Sequence, residues 1–286
     1  MRIDTHVHIT PPDIIADWES IAQGEPYFKM LSESPVNKFA TADDVVEAMA
    51  EDGIDRSIVF GFGFRDMGLC RYVNDYTIDA IQRHPDKLIG FASVVPDAPG
   101  ATAELVRCRE RGLRGVGEIF PEGQSFDIAS ETAMTPFAEA CLDLGFPVIF
   151  HVNEPVGHDY AGKTKTTLRE AEAFAEHFPD LDVIYAHWGG GLFFYELMRE
   201  VSKTLSNVYY DTAASVFLYG HKVYNVVKTL GLVDKILFAT DYPLLPARRY
   251  WADLEASELD DDEKALVLGG NAERLLKKWG ALPDAR

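Results

Sequence analysis

Only three cysteines occur in 286 residues, an odd number without metal-ligand spacing, and Cys70, Cys108 and Cys141 each sit in or beside an apolar or helical stretch. This argues against a disulfide framework, and reduced, buried thiols in a cytoplasmic protein are expected. Positive charge is scarce as well: 27 Lys plus Arg stand against 46 Asp plus Glu, a net charge of −19. Such a surface repels phosphate backbones and anionic lipid, so neither nucleic acid nor a membrane is an expected partner. No apolar run approaches the length of a bilayer span. The opening MRIDTHVHITPPD lacks both the basic start and the unbroken apolar core of a signal peptide. A glycine-rich phosphate turn after the first strand is also missing. The later AHWGGG, residues 186–191, has no Lys and Ser or Thr after it, so a tight turn is expected there rather than an anion cradle.

What the sequence does contain is a steady alternation of short Val-, Ile-, Phe- and Tyr-rich runs with stretches of helical spacing. Eight such runs begin at Arg2, Asp55, Lys87, Leu113, Pro147, Asp182, Asn207 and Lys235. Eight parallel strands joined by crossover helices close a (β/α)8 TIM barrel, which ranks ahead of an open doubly wound sheet. Between the runs, TADDVVEAMAEDG from Thr41 places Val45, Val46 and Met49 on one helical face and ends at Gly53. The acidic run at residues 258–265 reads as a helix start with a solvated face. Nothing divides the chain, so residues 1–286 form one barrel domain. Residues 10–40, with their prolines, Trp18, Tyr27 and Phe28, are too long for an ordinary strand-to-helix loop and are expected to form a lid over the barrel mouth.

His6 and His8 lie two apart on the first strand, so their side chains leave one face with Cα atoms roughly 6.5–7 Å apart and can converge on one metal ion. Hydrogen-bonded core histidines are the plainer alternative for such a pair. Other ligand-type residues fall where strands end: Glu118 on the fourth, His151 on the fifth, His187 on the sixth and Asp241 on the eighth. All would face the C-terminal mouth, where barrel enzymes keep their active sites. Buried without partners, such groups cost several kcal/mol or give up their charge, and one divalent cation or a pair would satisfy them together. For Asp241, capping of the last helix is the competing reading. His84, His177 and His221 fall in or at the ends of helices and read as structural.

The motifs THVH, GEI, FHVNE, AHWGGG, FATDYPLL and LGGNAERLL, in this order over residues 2–276, resemble the amidohydrolase superfamily. Within it they are most similar to the amidohydrolase-related, aminocarboxymuconate semialdehyde decarboxylase-like group. The resemblance implies that His6, His8, His151 and Asp241 surround a first divalent metal. It further implies that Glu118 and His187 match the bridging carboxylate and sixth-strand histidine of two-metal members. In single-metal members the residue matching His187 polarises substrate instead, so its role stays open between ligand and catalyst. Zn2+ is the expected ion, one or two per chain, with Mn2+ or Fe2+ as alternatives.

A bound cation lowers the pKa of its water toward ~7. Asp241 is then the expected proton acceptor, with His187 or the metal stabilising developing negative charge. Arg65, Asn153, Tyr160, Lys163 and Trp188, which follow strand ends, are expected to meet a small, anionic substrate. The leading expectation is hydrolysis of a small amide, lactone or related bond, because a bridging Glu118 suits a bridging hydroxide. Non-oxidative decarboxylation of an aromatic or muconate-type acid is the alternative, and a metal-stabilised binding protein the non-enzymatic one. Assembly as a homo-oligomer remains open.

Overall fold

Side chains alternate across the eight strands, and this alternation sorts the core into two layers. The computed structural model describes residues 1–283. Its strands are β1 Ile3–His8, β2 Arg56–Phe60, β3 Leu88–Gly90, β4 Val116–Ile119, β5 Val148–Phe150, β6 Val183–Tyr185, β7 Val208–Asp211 and β8 Ile236–Leu237. All pair in parallel, as β1-β2-β3 and β4-β5-β6-β7-β8. Parallel bridges Ala92 to Val116 and Val7 to Tyr242 join the two sheets at both seams, closing the (β/α)8 barrel. The strands are shorter than the apolar runs of the sequence, because the ends of those runs leave the ladder to form the site.

Ile58, Phe60, Ile89, Ile149, Ile184 and Leu237 fill the interior, together with Leu275, Leu276 and Trp279 of or beside the last helix, Asn271–Lys278. Val59, Val148, Phe150, Val183, Tyr185, Val208 and Tyr210 point outward into the layer shared with the surrounding helices. Those helices start and stop where the sequence provides caps. Ala42–Asp52 opens with a Thr41/Asp44 capping box and closes at Gly53 (φ 72°), while Leu168–His177 opens with Thr167/Glu170. The acidic run likewise starts a helix, with Asp260 and Glu263 as its capping box. The three cysteines are free and buried. Among the described residues no helix is long and apolar enough to cross a membrane.

Two strands break the alternation. Between Asp4 and Val7 of β1, three steps of chain face two steps of β2, and between Val116 and Ile119 of β4 three steps face two of β5. Each extra residue is a β-bulge, which reverses the inward phase. Ile3 packs in the interior cluster, so in an unbroken strand His6 and His8 would point outward. The bulge turns them inward, where both rings pack against Phe60 at 5.1 and 4.9 Å.

Residues 10–40 form three short helices, Pro12–Ala16, Trp18–Gly24 and Pro26–Ser32. They are packed down rather than free. Ile14, Ala22 and Phe28 bury against Phe64, Cys70, Val73 and Val95, and the buried Glu25 carboxylate accepts the backbone N–H groups of Arg65 and Asp66, both at 2.8 Å.

Candidate metal centre

Six side chains meet at the C-terminal mouth in two groups, His6, His8 and Asp241 in one and Glu118, His151 and His187 in the other. Glu118 reaches across to the first group as well. Its Oε2 lies 3.4 Å from His6 Nε2 and 3.5 Å from His8 Nε2, while its Oε1 lies 2.9 Å from His151 Nδ1 and 3.4 Å from His187 Nε2. Asp241 Oδ1 is 3.3 Å from His8 Nε2 and 3.7 Å from His6 Nε2.

The outer hydrogen bonds decide what the inner nitrogens present. His151 Nε2–H donates to the Gly162 carbonyl at 2.9 Å, and His187 Nδ1–H donates to the Ala213 carbonyl at 3.0 Å. His6 Nδ1–H donates to the Asp211 carboxylate at 2.9 Å. Carbonyl and carboxylate oxygens accept only, so each ring keeps a proton outside and can turn a lone pair inward, the arrangement metal-ligating histidines use. Three such imidazoles and two carboxylates in one buried cluster are a donor set that fits a divalent cation.

Without a cation, protons must do this work. Burial alone would raise the Glu118 carboxyl, but the His6 and His151 charges and hydrogen bonds from His151 and His187 outweigh it and hold it well below the usual carboxylate range. Burial is likewise overcome at Asp241, which hydrogen bonding from His8 and the nearby His charges lower to about 2. Desolvation would depress His187, yet its hydrogen bond and charge pairing with Glu118 push it up to about 9. His6 rises well above its ordinary value against burial, through Glu118 and Asp211.

Local backbone aims these groups. His187 (φ 57°), Trp188 (φ 61°) and Asp241 (φ 63°) all sit in the left-handed region, which costs of order 1–3 kcal/mol for each non-glycine residue. Asp211 Oδ1 fixes the first of these turns by accepting the N–H groups of His187 (2.9 Å) and Ala213 (3.0 Å). The left-handed run continues through Gly189, Gly190 and Gly191. A methyl at Gly190 would sit 2.2 Å from the Asn153 carbonyl oxygen, so the tight turn expected of AHWGGG presses the sixth loop onto the fifth.

Above the cluster opens a cavity of about 540 Å3. His8, Glu118, His151, His187 and Asp241 border it, with Tyr27, Phe28, Phe62 and Phe120 among its aromatic walls. Tyr27, Phe28, Ser32, Lys38 and Phe39 place residues 10–40 over the barrel mouth. Tyr27 donates from its hydroxyl to the Gly162 carbonyl at 3.0 Å, the same oxygen that accepts from His151.

Of the residues expected to meet substrate, only Tyr160 borders the cavity, its hydroxyl donating to Glu154 at 3.1 Å. Arg65 is exposed and outside the cavity wall, because its backbone is committed to Glu25. Asn153 is buried, its Oδ1 accepting the Thr164 N–H and hydroxyl at 2.7 and 2.9 Å. Lys163 folds back, its ammonium donating to the His158 carbonyl at 3.2 Å and lying 3.6 Å from Glu154. The left-handed turn directs Trp188 into the core, where its indole N–H donates to Ser215. These four fasten the loops around the cavity. Asp211, fully buried at the end of β7, joins the site without any motif to mark it; its one signal in the sequence is a carboxylate closing an apolar strand.

A closed eight-stranded parallel barrel with imidazoles and carboxylates gathered at its C-terminal mouth defines a divalent-metal barrel enzyme. The chain belongs to the amidohydrolase family, whose profile it matches over residues 3–278. It is similar to 2-amino-3-carboxymuconate-6-semialdehyde decarboxylase of Dictyostelium discoideum, 23% identical over 336 aligned positions covering 95% of this chain and 90% of the relative. In fold it resembles 5-carboxyvanillate decarboxylase of Sphingomonas paucimobilis, with TM-score 0.77, 16% identity and coverage of 96% and 98% of the two chains. It also resembles a dihydroxybenzoic acid decarboxylase of Polaromonas with bound manganese and the inhibitor 2-nitroresorcinol, with TM-score 0.69, 19% identity and coverage of 96% of each chain.

Proposed function

We propose that this enzyme is a metal-dependent decarboxylase that removes a carboxyl group, without oxidation, from an aromatic or muconate-type acid. The cavity carries this reading: Tyr27, Phe62 and Phe120, packed on one another at 5.1–6.2 Å, form one aromatic wall beside a floor of metal-ligand side chains, a surface that suits a planar acid with its polar edge down. The decarboxylases among its relatives support the same class, in place of the amide or lactone hydrolysis that leads from sequence alone.

His6, His8, Glu118, His151, His187 and Asp241 would hold a divalent cation or a pair. Zinc suits the imidazole-rich set, and manganese is the ion in the Polaromonas neighbour. When bound, the cation supplies positive charge that anchors a carboxylate or phenolate oxygen and draws electron density from the ring. The chain itself lays the ring against the Tyr27, Phe62 and Phe120 wall, keeps water away and delivers a proton. Loss of CO2 leaves the C–C bonding pair on the ring carbon, which takes up one proton to form the new C–H bond. With a single cation held by His6, His8, His151 and Asp241, His187 would stay off the metal and carry this proton at Nε2; with a pair, Nε2 would be a ligand and the second oxygen of the Asp241 carboxylate would carry it instead.

A second reading, hydrolysis with Asp241 taking a proton from water, has one specific support: Glu118 gives one oxygen to each group of ligands, as a carboxylate between two cations does. Incubating manganese- and zinc-loaded protein with hydroxybenzoates and carboxyvanillate, and separately with lactones and amides, decides between the two. Decarboxylation releases one CO2 per acid consumed. Turnover of a lactone or amide with no CO2 from any acid transfers the assignment to hydrolysis.

A further inference from the structure

We infer that the outer part of the cavity is an apolar subsite for a substituent on the substrate ring. The preferred acid therefore carries a second ring or an alkyl chain on the edge away from its carboxyl group. The inference rests on the decarboxylase reading, which puts that carboxyl group at the metal-ligand floor.

The wall beside this floor is one unbroken series of rings. The His151 ring lies 5.0 Å from Phe120, and Phe120 stacks on Phe62 at 5.3 Å. Phe62 meets Phe28 at 5.1 Å, and Phe28 meets Phe39 at 6.0 Å, with all five residues bordering the cavity. Aromatic partners sit about 4.5–7 Å apart, so a single ring with its acid edge on the floor covers Phe120 and Phe62 and reaches no farther. Phe28 and Phe39 lie one and two rings beyond it, and among the described residues neither packs on a floor histidine. A cavity of about 540 Å3 also falls in the range of pockets that enclose drug-sized ligands, which are larger than one ring.

The loops after β7 and β8 extend the apolar lining with Phe217, Leu218 and Leu244. Phe217 and, on the covering segment, Val36 are each 54% exposed at the cavity edge, and a substituent lying across them takes that surface out of water. Lys38, the one lysine or arginine bordering the cavity among the described residues, is itself exposed. Its ammonium is met by water and calls for no charge on the substituent.

Calorimetric titration of manganese-loaded native protein with salicylate, 4- and 5-butylsalicylate, 3-hydroxy-2-naphthoate and 5-sulfosalicylate tests this without requiring turnover. Each methylene fully buried is worth about fourfold in affinity, so at least one extended apolar acid binds about tenfold more tightly than salicylate. The sulfonate, which carries charge to the same place, binds no better than salicylate. The ratio of extended acid to salicylate falls about threefold or more in Phe39→Ala and is kept in Phe39→Leu. Equal affinity of extended acids and salicylate, an equal gain for the sulfonate, or an unchanged ratio in Phe39→Ala overturns the subsite. Because the readout is binding, failure of the decarboxylase reading appears separately, as absence of CO2 release from acids that bind.

Discussion

Replacing Asp211 by asparagine would weaken metal binding while leaving the barrel folded. In the native protein Oδ2 accepts the His6 Nδ1–H at 2.9 Å, and Oδ1 accepts two backbone N–H groups. Asparagine keeps one carbonyl oxygen, enough for the backbone pair that shapes the His187 turn. Its amide then points N–H toward His6 Nδ1, which must become an acceptor, so the His6 proton moves to Nε2 and faces the cation. Loss of such an outer partner costs 10–100-fold in metal affinity, about 1.4–2.8 kcal/mol. Asp211→Ala is a different lesion, because it strands two buried N–H groups at about 1–3 kcal/mol each and so lowers stability as well. Chelator competition gives the metal affinity and urea denaturation of the metal-free protein gives stability. An Asp211→Asn protein that binds metal as tightly as the native one would refute the tautomer argument.

Two further outcomes follow from the same geometry. Because Glu118 touches both ligand groups, titrating metal into the metal-free protein should reach full activity at two equivalents; saturation at one, with Glu118→Gln still binding that ion, rules the paired site out. Metal binding should also release protons. His187 is pushed up to about 9 in the metal-free protein, so below that pH its proton competes with the cation and affinity rises with pH until about 9. Calorimetry in buffers of different ionisation enthalpy measures the release, and a pH-independent affinity between 6 and 9 contradicts it.

The candidate ligands were legible because each stands directly after, or inside, a strand whose apolar run is obvious. Alternation alone would have misled, since it aims His6 and His8 outward once Ile3 is inside; the bulge that corrects this has no marker in RIDTHVHI. Asp211 illustrates the opposite failure: its strand-end position was visible, but a carboxylate that orients a ligand looks in sequence like one that does nothing. The loop residues were the least readable. Whether Arg65, Asn153, Lys163 or Trp188 faces a cavity depends on backbone turns such as the left-handed run at residues 187–191, which composition does not encode. The short helices of residues 10–40, at most seven residues each, are too brief to print a 3.6-residue period.

The base of residues 10–40 is pinched shut, with Thr10 N–H donating to the Ala40 carbonyl at 2.8 Å. A chain that leaves and re-enters the barrel at nearly one point can be exchanged as a cassette, because its replacement need only reproduce that junction and the docking of Glu25. Specificity can then diversify independently of the metal-binding frame, since Phe28, Phe39 and most of the upper wall travel with the cassette while the ligands stay behind. The exception is Tyr27, which shares the Gly162 oxygen with His151. A cassette without a donor at that place would change the grip on one metal ligand along with the choice of substrate.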